Sequence, residues 1–485
     1  MSNEVSPIIL LEPNTKDLSI DIESIAPGLN RVGCMIPYAP LFQLILREYQ
    51  KPVIATSGNI SGSPIIYENN EAGKALRSIA DVIVSNDRDI VIPQDDSVIS
   101  FSKEHHHKII LRRSRGLAPT YLQPKMPVPG DSILAVGAQM KSSFTLTNKK
   151  LVYISQYLGD MDSYLTQKHY EKTIEHFFSI FNPQVSAVIG DLHPDYFTTH
   201  YGTTIAEKLA IPFKQLQHHE AHFYAILAEH GLLDSKEQIL GVIWDGTGYG
   251  HDGQIWGGEF FIYEGKRMER VAHLPYFPFI LGNKMPREPR ISALALCASI
   301  NSNTEFLKNK FNETEWSTYQ NLLPNAILQT SSMGRFFDAV ASLVLNIDKT
   351  SFEGEAAMQL EAAARDYINQ NGFTSLEHYP VDNGSISNCI SGIIYDKKNR
   401  ISDDHIAAKF HLSLVHLIRQ QAENHNSKIL AFSGGVFQNG LLVDLIITYL
   451  KDEYELKFHK ELSPNDENIS FGQLAWFTTH KNNNR

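Results

Sequence analysis

The chain has 485 residues, a formal charge of −11, and 42% hydrophobic and 20% charged residues. This is the composition of an ordinary globular protein, too long for one hydrophobic core. The acidic balance offers no footprint for nucleic acid, no run of 18 apolar residues free of charges marks a membrane span, and the N-terminus lacks the basic-then-apolar plan of a secretory signal.

The cysteines Cys34, Cys297 and Cys389 form no C-x-x-C pair. Neither a disulfide framework nor a thiolate zinc site is written here, and a reducing cytoplasm is the expected location. In the first part of the chain, strand-like runs ("KPVIATSG", 51–58; "ADVIVSND", 80–87; "KIILRRS", 108–114) alternate with the helical run "PLFQLILREYQ" (40–50), which predicts a mixed α/β domain. "ATSGNISGSP" (55–64) supplies Thr56, Ser57, Asn59 and Ser61 as candidate ligands for a triphosphate and its Mg²⁺, with "DDSV" (95–98) and "RRSRG" (112–116) completing a pocket. The alternative is a polar turn beside a basic edge strand. "KEHHHK" (103–108) is expected as an exposed hairpin tip rather than a metal site.

A Pro-rich stretch over 116–132 cannot continue a helix or a central strand, so a domain boundary is expected there: residues 1–120, a linker over 121–132, and a second domain over 133–485. Within that second domain, 132–156 and 238–265 share one plan of strand, polar glycine turn and strand, each followed by helical sequence. A duplicated half-domain, split near 133–236 and 237–485, explains this economically; two unrelated hairpins in one sheet is the alternative.

"QHHEAH" (217–222) places His218 and His222 four apart, on one face of a predicted helix and close enough to chelate one ion, with His219 pointing elsewhere. The protease pattern H-E-x-x-H is absent. Asp245, at the end of the apolar run "ILGVIWDGTG", and Asp466, in "SPNDENISFGQ", are the candidate carboxylates, since acids at strand ends open towards a cleft. Two imidazoles and two carboxylates suit zinc, iron or manganese. "DGTGYG" (245–250) and "SGGVFQN" (433–439) expose backbone N–H groups suited to phosphate, and Asp338 and Glu353 are placed to accept hydrogen bonds from a ribose. A glycine turn that merely reverses the chain, a solvated helix face and a loop acid are the plainer readings.

In order, "ESIAPGLNRVGCMIPYAPL", "TSGNISGSPI", "QDDSVIS", "LRRSRGLAP", "LAVGAQMKSSF", "SQYLGDMDS", "GDLHPDYFTT", "QHHEAH", "DGTGYGHDGQIWGGE", "GRFFDAVASL", "FEGEAAM" and "FSGGVFQN" resemble the HypF-type carbamoyltransferases of nickel–iron hydrogenase maturation. The resemblance implies an α/β protein with part of a YrdC-type domain followed by a duplicated actin-like ATPase-type domain. It implies an enzyme that uses ATP and carbamoyl phosphate, releases pyrophosphate and AMP, and passes a carbamoyl group through carbamoyl-adenylate to the C-terminal cysteine of a HypE-type partner. By the same resemblance His218, His222, Asp245 and Asp466 bind one divalent metal, zinc or iron, and are the catalytic set. Gly246, Thr247, Asp338, Glu353, Gly434, Gly435 and Asn439 would hold the adenylate, and Thr56, Ser57, Asn59 and Arg113 the ATP of the first reaction.

Against the family's plan, "SPIILLEP" (6–13) starts inside the YrdC-type domain, without acylphosphatase-like or cysteine-rich zinc modules before it. An N-terminally truncated chain is therefore expected, with its missing half supplied as a separate polypeptide, or a remnant without catalysis. Asn283 and Lys284 stand where the family has Gly-Asp, and Glu467 and Asn468 where it has a glycine pair. A different enzymatic reading, O-carbamoylation of a small hydroxylated metabolite, uses the same two domain types in the opposite order. Neither nucleic acid nor a membrane is an expected partner.

Overall fold

The computed structural model describes residues 5–14, 20–60, 63–122, 125–374, 376–381 and 386–481. Ser61, one of the hydroxyls expected around a triphosphate, lies outside them. Contacts divide the chain into two units, the first comprising 1–100, 110–216 and 460–485, the second 101–109 and 217–459. Within the second part of the chain the division between units follows Leu216. The helix His218–His230, buried from His218 to Ala228 except at Glu220, packs in the second unit.

Short strands at the start make a four-stranded sheet from β1 (Ile8–Leu11), β2 (Val32–Cys34), β3 (Val98–Phe101) and β4 (Lys108–Arg112), in the order β2-β1-β3-β4. The run 40–50 is helical as predicted, over Pro40–Tyr49, with Pro40 in the first turn where its missing N–H costs nothing. "KPVIATSG" and "ADVIVSND", however, form no strand. A β-branched run becomes a strand only with a neighbour to pair with, and Ile54, Val82 and Val84 are each 77% exposed.

The next sheet contains β5 (Thr120–Leu122), β6 (Ser132–Ala135), β7 (Thr145–Asn148), β8 (Leu151–Ile154), β9 (Val185–Asp191) and β10 (Phe213–Leu216), ordered β10-β9-β6-β7-β8-β5. β6, β7 and β8 run antiparallel, while β9 is parallel to β6 and β10 to β9. The Pro-rich stretch thus contributes an edge strand, β5, before it leaves the sheet. Phe144, Tyr170 and Phe177 interlock edge to face over this sheet, and the Tyr170 hydroxyl donates to the Val136 carbonyl at 2.6 Å. The helix Ile469–Lys481 returns to pack on β6 and β9.

In the second unit β11 (Ile239–Tyr249), β12 (Ile255–Glu264), β13 (Arg267–His273), β14 (Phe277–Pro278), β15 (Gln329–Thr330), β16 (Ile429–Ser433) and β17 (Glu455–Lys457) form a seven-stranded sheet. β11, β12 and β13 run antiparallel, β16 is parallel to β11 and β17 to β16. The path β17-β16-β11-β12-β13 repeats β10-β9-β6-β7-β8 strand for strand. The duplicated plan of the sequence is therefore a duplicated topology, in keeping with the expected actin-like class.

The "KEHHHK" tip is only partly exposed. The backbone N–H groups of Lys103, Glu104 and His105 all donate to the carboxylate of Asp444, which is fully buried, and His105 Nε2 lies 2.8 Å from Thr448 Oγ1. A buried carboxylate that accepts three N–H bonds fixes this tip, a partner that the local sequence does not contain.

Candidate metal centre

The helix His218–His230 starts at Gln217, whose side-chain carbonyl accepts from the N–H groups of His219 and Glu220, while its amide donates to the Tyr249 carbonyl at 3.0 Å. One glutamine therefore caps the helix and ties its first turn to the end of β11. His218 and His222, on one face of that helix, are fully buried, and each directs Nε2 to the same carboxylate oxygen, Asp245 Oδ2, at 3.4 and 3.7 Å. The three side chains offer ligand atoms mutually within 4.8 Å.

Asp245 stands where the ladder between β11 and β12 shifts register, between Trp244 and Gly248. Its other oxygen, Oδ1, accepts the Gly435 N–H at 3.0 Å. Burial alone would push the Asp245 carboxyl up, but the two imidazoles of His218 and His222 beside it outweigh burial and hold the group well below the usual carboxylate range. His219 is also buried, with Nδ1 3.0 Å from the Gln217 amide, and burial with the neighbouring His218 holds it neutral. As expected, it is not among the clustered ligands.

This donor set fits a divalent ion. Ligand atoms about 2.1 Å from a common metal stand about 3.0–3.5 Å apart; the separations here, 3.4 and 3.7 Å, lie at or slightly above that range and are long for direct hydrogen bonds. Imidazole nitrogen with carboxylate oxygen suits zinc or iron.

Around Asp245 the two glycine turns meet. Gly434 has φ +102°, and a Cβ there would stand 2.1 Å from the Trp244 carbonyl; at Gly435 it would stand 3.0 Å from Asp245 Oδ1. Gly246 and Thr247 are half-buried, and the Ser332 hydroxyl, which caps the helix Met333–Leu345, donates to the Gly246 carbonyl. Asp338, on that helix, is buried and paired with Arg335 at 2.7 Å; burial pushes its carboxyl up to about 6 although Arg335 pulls it down. Glu353 is exposed ahead of the helix Glu355–Asn371. Asn439 caps the helix Gly440–Leu450 through its carbonyl, while its amide lies 3.0 Å from His411 Nε2.

In the first unit three of the expected ATP residues share the loop 51–60. Thr56 and Ser57 are exposed, and the Ser57 hydroxyl donates to Asn59, whose amide turns back to the Ile60 and Ser63 carbonyls. Arg113 is buried, with its backbone N–H donated to Glu467 Oε2 at 2.9 Å. The basic run does not present bare cations. Arg112 pairs with Asp95 at 3.3 Å and Arg115 with Asp96 at 2.6 Å, so "DDSV" and "RRSRG" do come together, as ion pairs.

Asp466 belongs to the first unit, half-buried at the start of the turn Asp466–Asn468. The neighbouring departures from the family pattern are built into that unit: Glu467 points inward to Arg113, its backbone carbonyl accepts from Ser143, and the Asn468 amide donates to the Ser463 carbonyl. Lys284 reaches the Tyr319 hydroxyl at 2.7 Å, and Asn283 precedes a short helical turn.

Burial pushes the Glu467 carboxyl up to about 8, and its Oε1 has no hydrogen-bond partner among the described residues. A folded-state pKa above the unfolded one means that folding retains a proton. The associated stability is present in full below about 4.5 and lost as pH rises through about 8, with an upper bound of about 5 kcal/mol. Glu467→Gln keeps the acceptor for Arg113 and cannot ionise. The variant is expected to melt a few degrees above the parent at pH 8 and level with it at pH 5, as calorimetry would show; a constant difference across that range would refute the assignment.

Family models match the chain in three places. The second subdomain of the Kae1-like carbamoyltransferase domain matches 241–473, the HypF Kae1-like domain 129–229, and a YrdC-type model described as telomere recombination 4–114. The fold and the duplicated sheets are therefore those of a YrdC-type module joined to Kae1-like carbamoyltransferase modules. The carbamoyltransferase HypF of Synechocystis sp. is 37% identical over 98% of this chain and 63% of its own length; that of Rhodobacter capsulatus is 31% identical over 98% and 63%. A full-length HypF crystal structure in the phosphate- and nucleotide-bound form superposes with a TM-score of 0.87 at 34% identity, over 99% of this chain and 75% of that one. The HypF of T. kodakarensis gives the same score at 29% identity, over 99% and 64%. The chain belongs to the HypF carbamoyltransferase family, and it spans less than two thirds of the length of these curated relatives. No helix among the described residues is long and apolar enough to cross a membrane.

Proposed function

We propose that this chain carries the carbamoyl-transfer step of hydrogenase maturation, using ATP with Mg²⁺ and carbamoyl phosphate, by way of carbamoyl-adenylate, to modify the C-terminal cysteine of a HypE-type partner in the cytoplasm. The observation that carries this reading is the convergence of His218, His222 and Asp245 beside two glycine turns in a chain of this family.

His218, His222 and Asp245 would hold one divalent metal. Asp466 is assigned as a further ligand on its motif alone, and these four residues are the proposed catalytic set. A bound divalent metal, zinc or iron, supplies a Lewis acid that polarises a carbonyl and offsets charge on a departing phosphate. The chain's own share is positional. The Gly435 N–H turns Asp245 so that Oδ2 faces the histidines, and the backbone of the turn at Gly246–Thr247, with Gly434 and Gly435 close by, is proposed to receive an adenylate phosphate. Asp338 and Glu353 are proposed for its ribose, and Asn439 for the nucleotide edge of the second turn. Thr56, Ser57, Asn59 and Arg113 are proposed for the ATP of the adenylation step. In the transfer, the acceptor thiolate forms the new S–C bond, the C–O bond to AMP breaks, and AMP leaves with the electron pair.

The exposed apolar residues Val53, Ile54, Ile79, Val82, Val84 and Val91 suit a partner polypeptide that adds strands to the first sheet. The test is carbamoyl-phosphate-dependent exchange of labelled pyrophosphate into ATP, by the chain alone and with the N-terminal portion of a full-length relative added. Exchange in either arm is expected. Its absence from both, with ATP binding intact, would overturn the adenylation reading.

A further inference from the structure

The candidate ligand His222 has a second nitrogen, and that nitrogen leads away from Asp245 along a line of buried polar groups. His222 Nδ1 lies 3.3 Å from Ser433 Oγ, Ser433 Oγ lies 2.8 Å from His459 Nε2, and His459 Nδ1 lies 2.6 Å from Glu229 Oε2. His222 and Ser433 are fully buried and His459 is 5% exposed. Glu229 sits on the same helix as His222, Ser433 is the last residue of β16, and His459 follows β17. Two strands and one helix are thus spent on closing this line behind the proposed metal ligand.

The proton inventory gives the line a direction. A carboxylate only accepts, so His459 Nδ1 carries the ring proton towards Glu229. In the neutral form of His459, Nε2 is then an acceptor, and the Ser433 hydroxyl donates to it. The hydroxyl proton is committed in that direction, so Ser433 Oγ accepts from His222, and the His222 proton stands on Nδ1. This leaves Nε2, the atom that faces Asp245, with a bare lone pair. The reverse assignment would put the proton on Nε2, where it blocks coordination.

We infer that Glu229, His459 and Ser433 are positioning residues that fix His222 in the tautomer whose Nε2 can bind a metal. The inference rests on the proposed metal site, and it is an outer shell of the kind that orients ligating histidines. Its consequence is that metal affinity depends on a residue that touches neither metal nor substrate.

The experiment compares the whole chain with its His459→Leu and Ser433→Ala variants, the latter leaving the Glu229–His459 pair in place as a safeguard on folding. Two readouts are used: zinc affinity by competition with a chromophoric chelator, and the ¹⁵N shifts of the metal-free His222 ring, assigned by loss of its signals in His222→Ala. The parent is expected to show the Nδ1-protonated ring and each variant the Nε2-protonated or mixed one, with zinc bound about 10- to 100-fold more weakly. Unchanged zinc affinity and an unchanged His222 tautomer in both variants would overturn the relay. A parent that takes up no zinc or iron would instead refute the metal reading, and the tautomer measurement would then decide the relay by itself.

Discussion

Asp245→Asn is expected to leave the fold in place and to remove both divalent-metal retention and carbamoyl transfer, by on the order of 100-fold or more. The asparagine carbonyl can keep the Gly435 N–H that Asp245 Oδ1 now accepts at 3.0 Å. The other position becomes an NH₂ group directed at His218 and His222, which replaces a ligand atom by a donor and removes the negative charge. Metal content by elemental analysis, with a thermal melt as the control for folding, reads this directly. Stoichiometric metal in a folded Asp245→Asn protein would remove Asp245 from the ligand set.

Gly434→Ala is expected to act on stability. At φ +102° an alanine is strained in any surroundings, and its Cβ would stand 2.1 Å from the Trp244 carbonyl and 2.6 Å from its carbon, both backbone atoms that cannot turn aside. Either β16 must move away from β11 or the turn must refold, at a cost of about 3 kcal/mol or more. Gly246→Ala is the contrast, because a Cβ added there would meet nothing within 4 Å. It is expected to fold normally and to lose affinity for ATP if the turn receives a phosphate. Equal melting temperatures for the parent and Gly434→Ala would contradict the packing described here.

The parts of this site carried by local spacing were legible in the sequence. Two histidines four apart, an acid closing an apolar strand, and a strand-turn-strand plan used twice need only helix and strand periodicity to be read. The groups that orient them were not. Gln217 is an unusual helix cap, and Ser433, His459 and Glu229 meet across more than 200 residues of chain through strand order that no local pattern encodes. "KPVIATSG" and "ADVIVSND" misled for a related reason: β propensity describes a side chain that suits a pleated surface, and it does not supply the neighbouring strand. The hairpin tip at 103–105 depends likewise on Asp444, far along the chain.

Glu467 and Asn468 show what a departure from a family pattern does not reveal. In sequence they replace a glycine pair beside a proposed ligand, which suggests crowding. In the structure the first points inward, where its Oε2 accepts the Arg113 N–H, and the second braces the Ser463 carbonyl.

The most direct test of the central claim is the mass of the C-terminal peptide of a HypE-type acceptor after incubation with this chain, the added N-terminal portion, ATP, Mg²⁺ and carbamoyl phosphate. The account predicts the gain of one carbamoyl group on the terminal cysteine, dependent on ATP and lost with His218→Ala and Asp245→Asn. An unmodified cysteine under these conditions, with the same acceptor carbamoylated by a full-length relative, would contradict it.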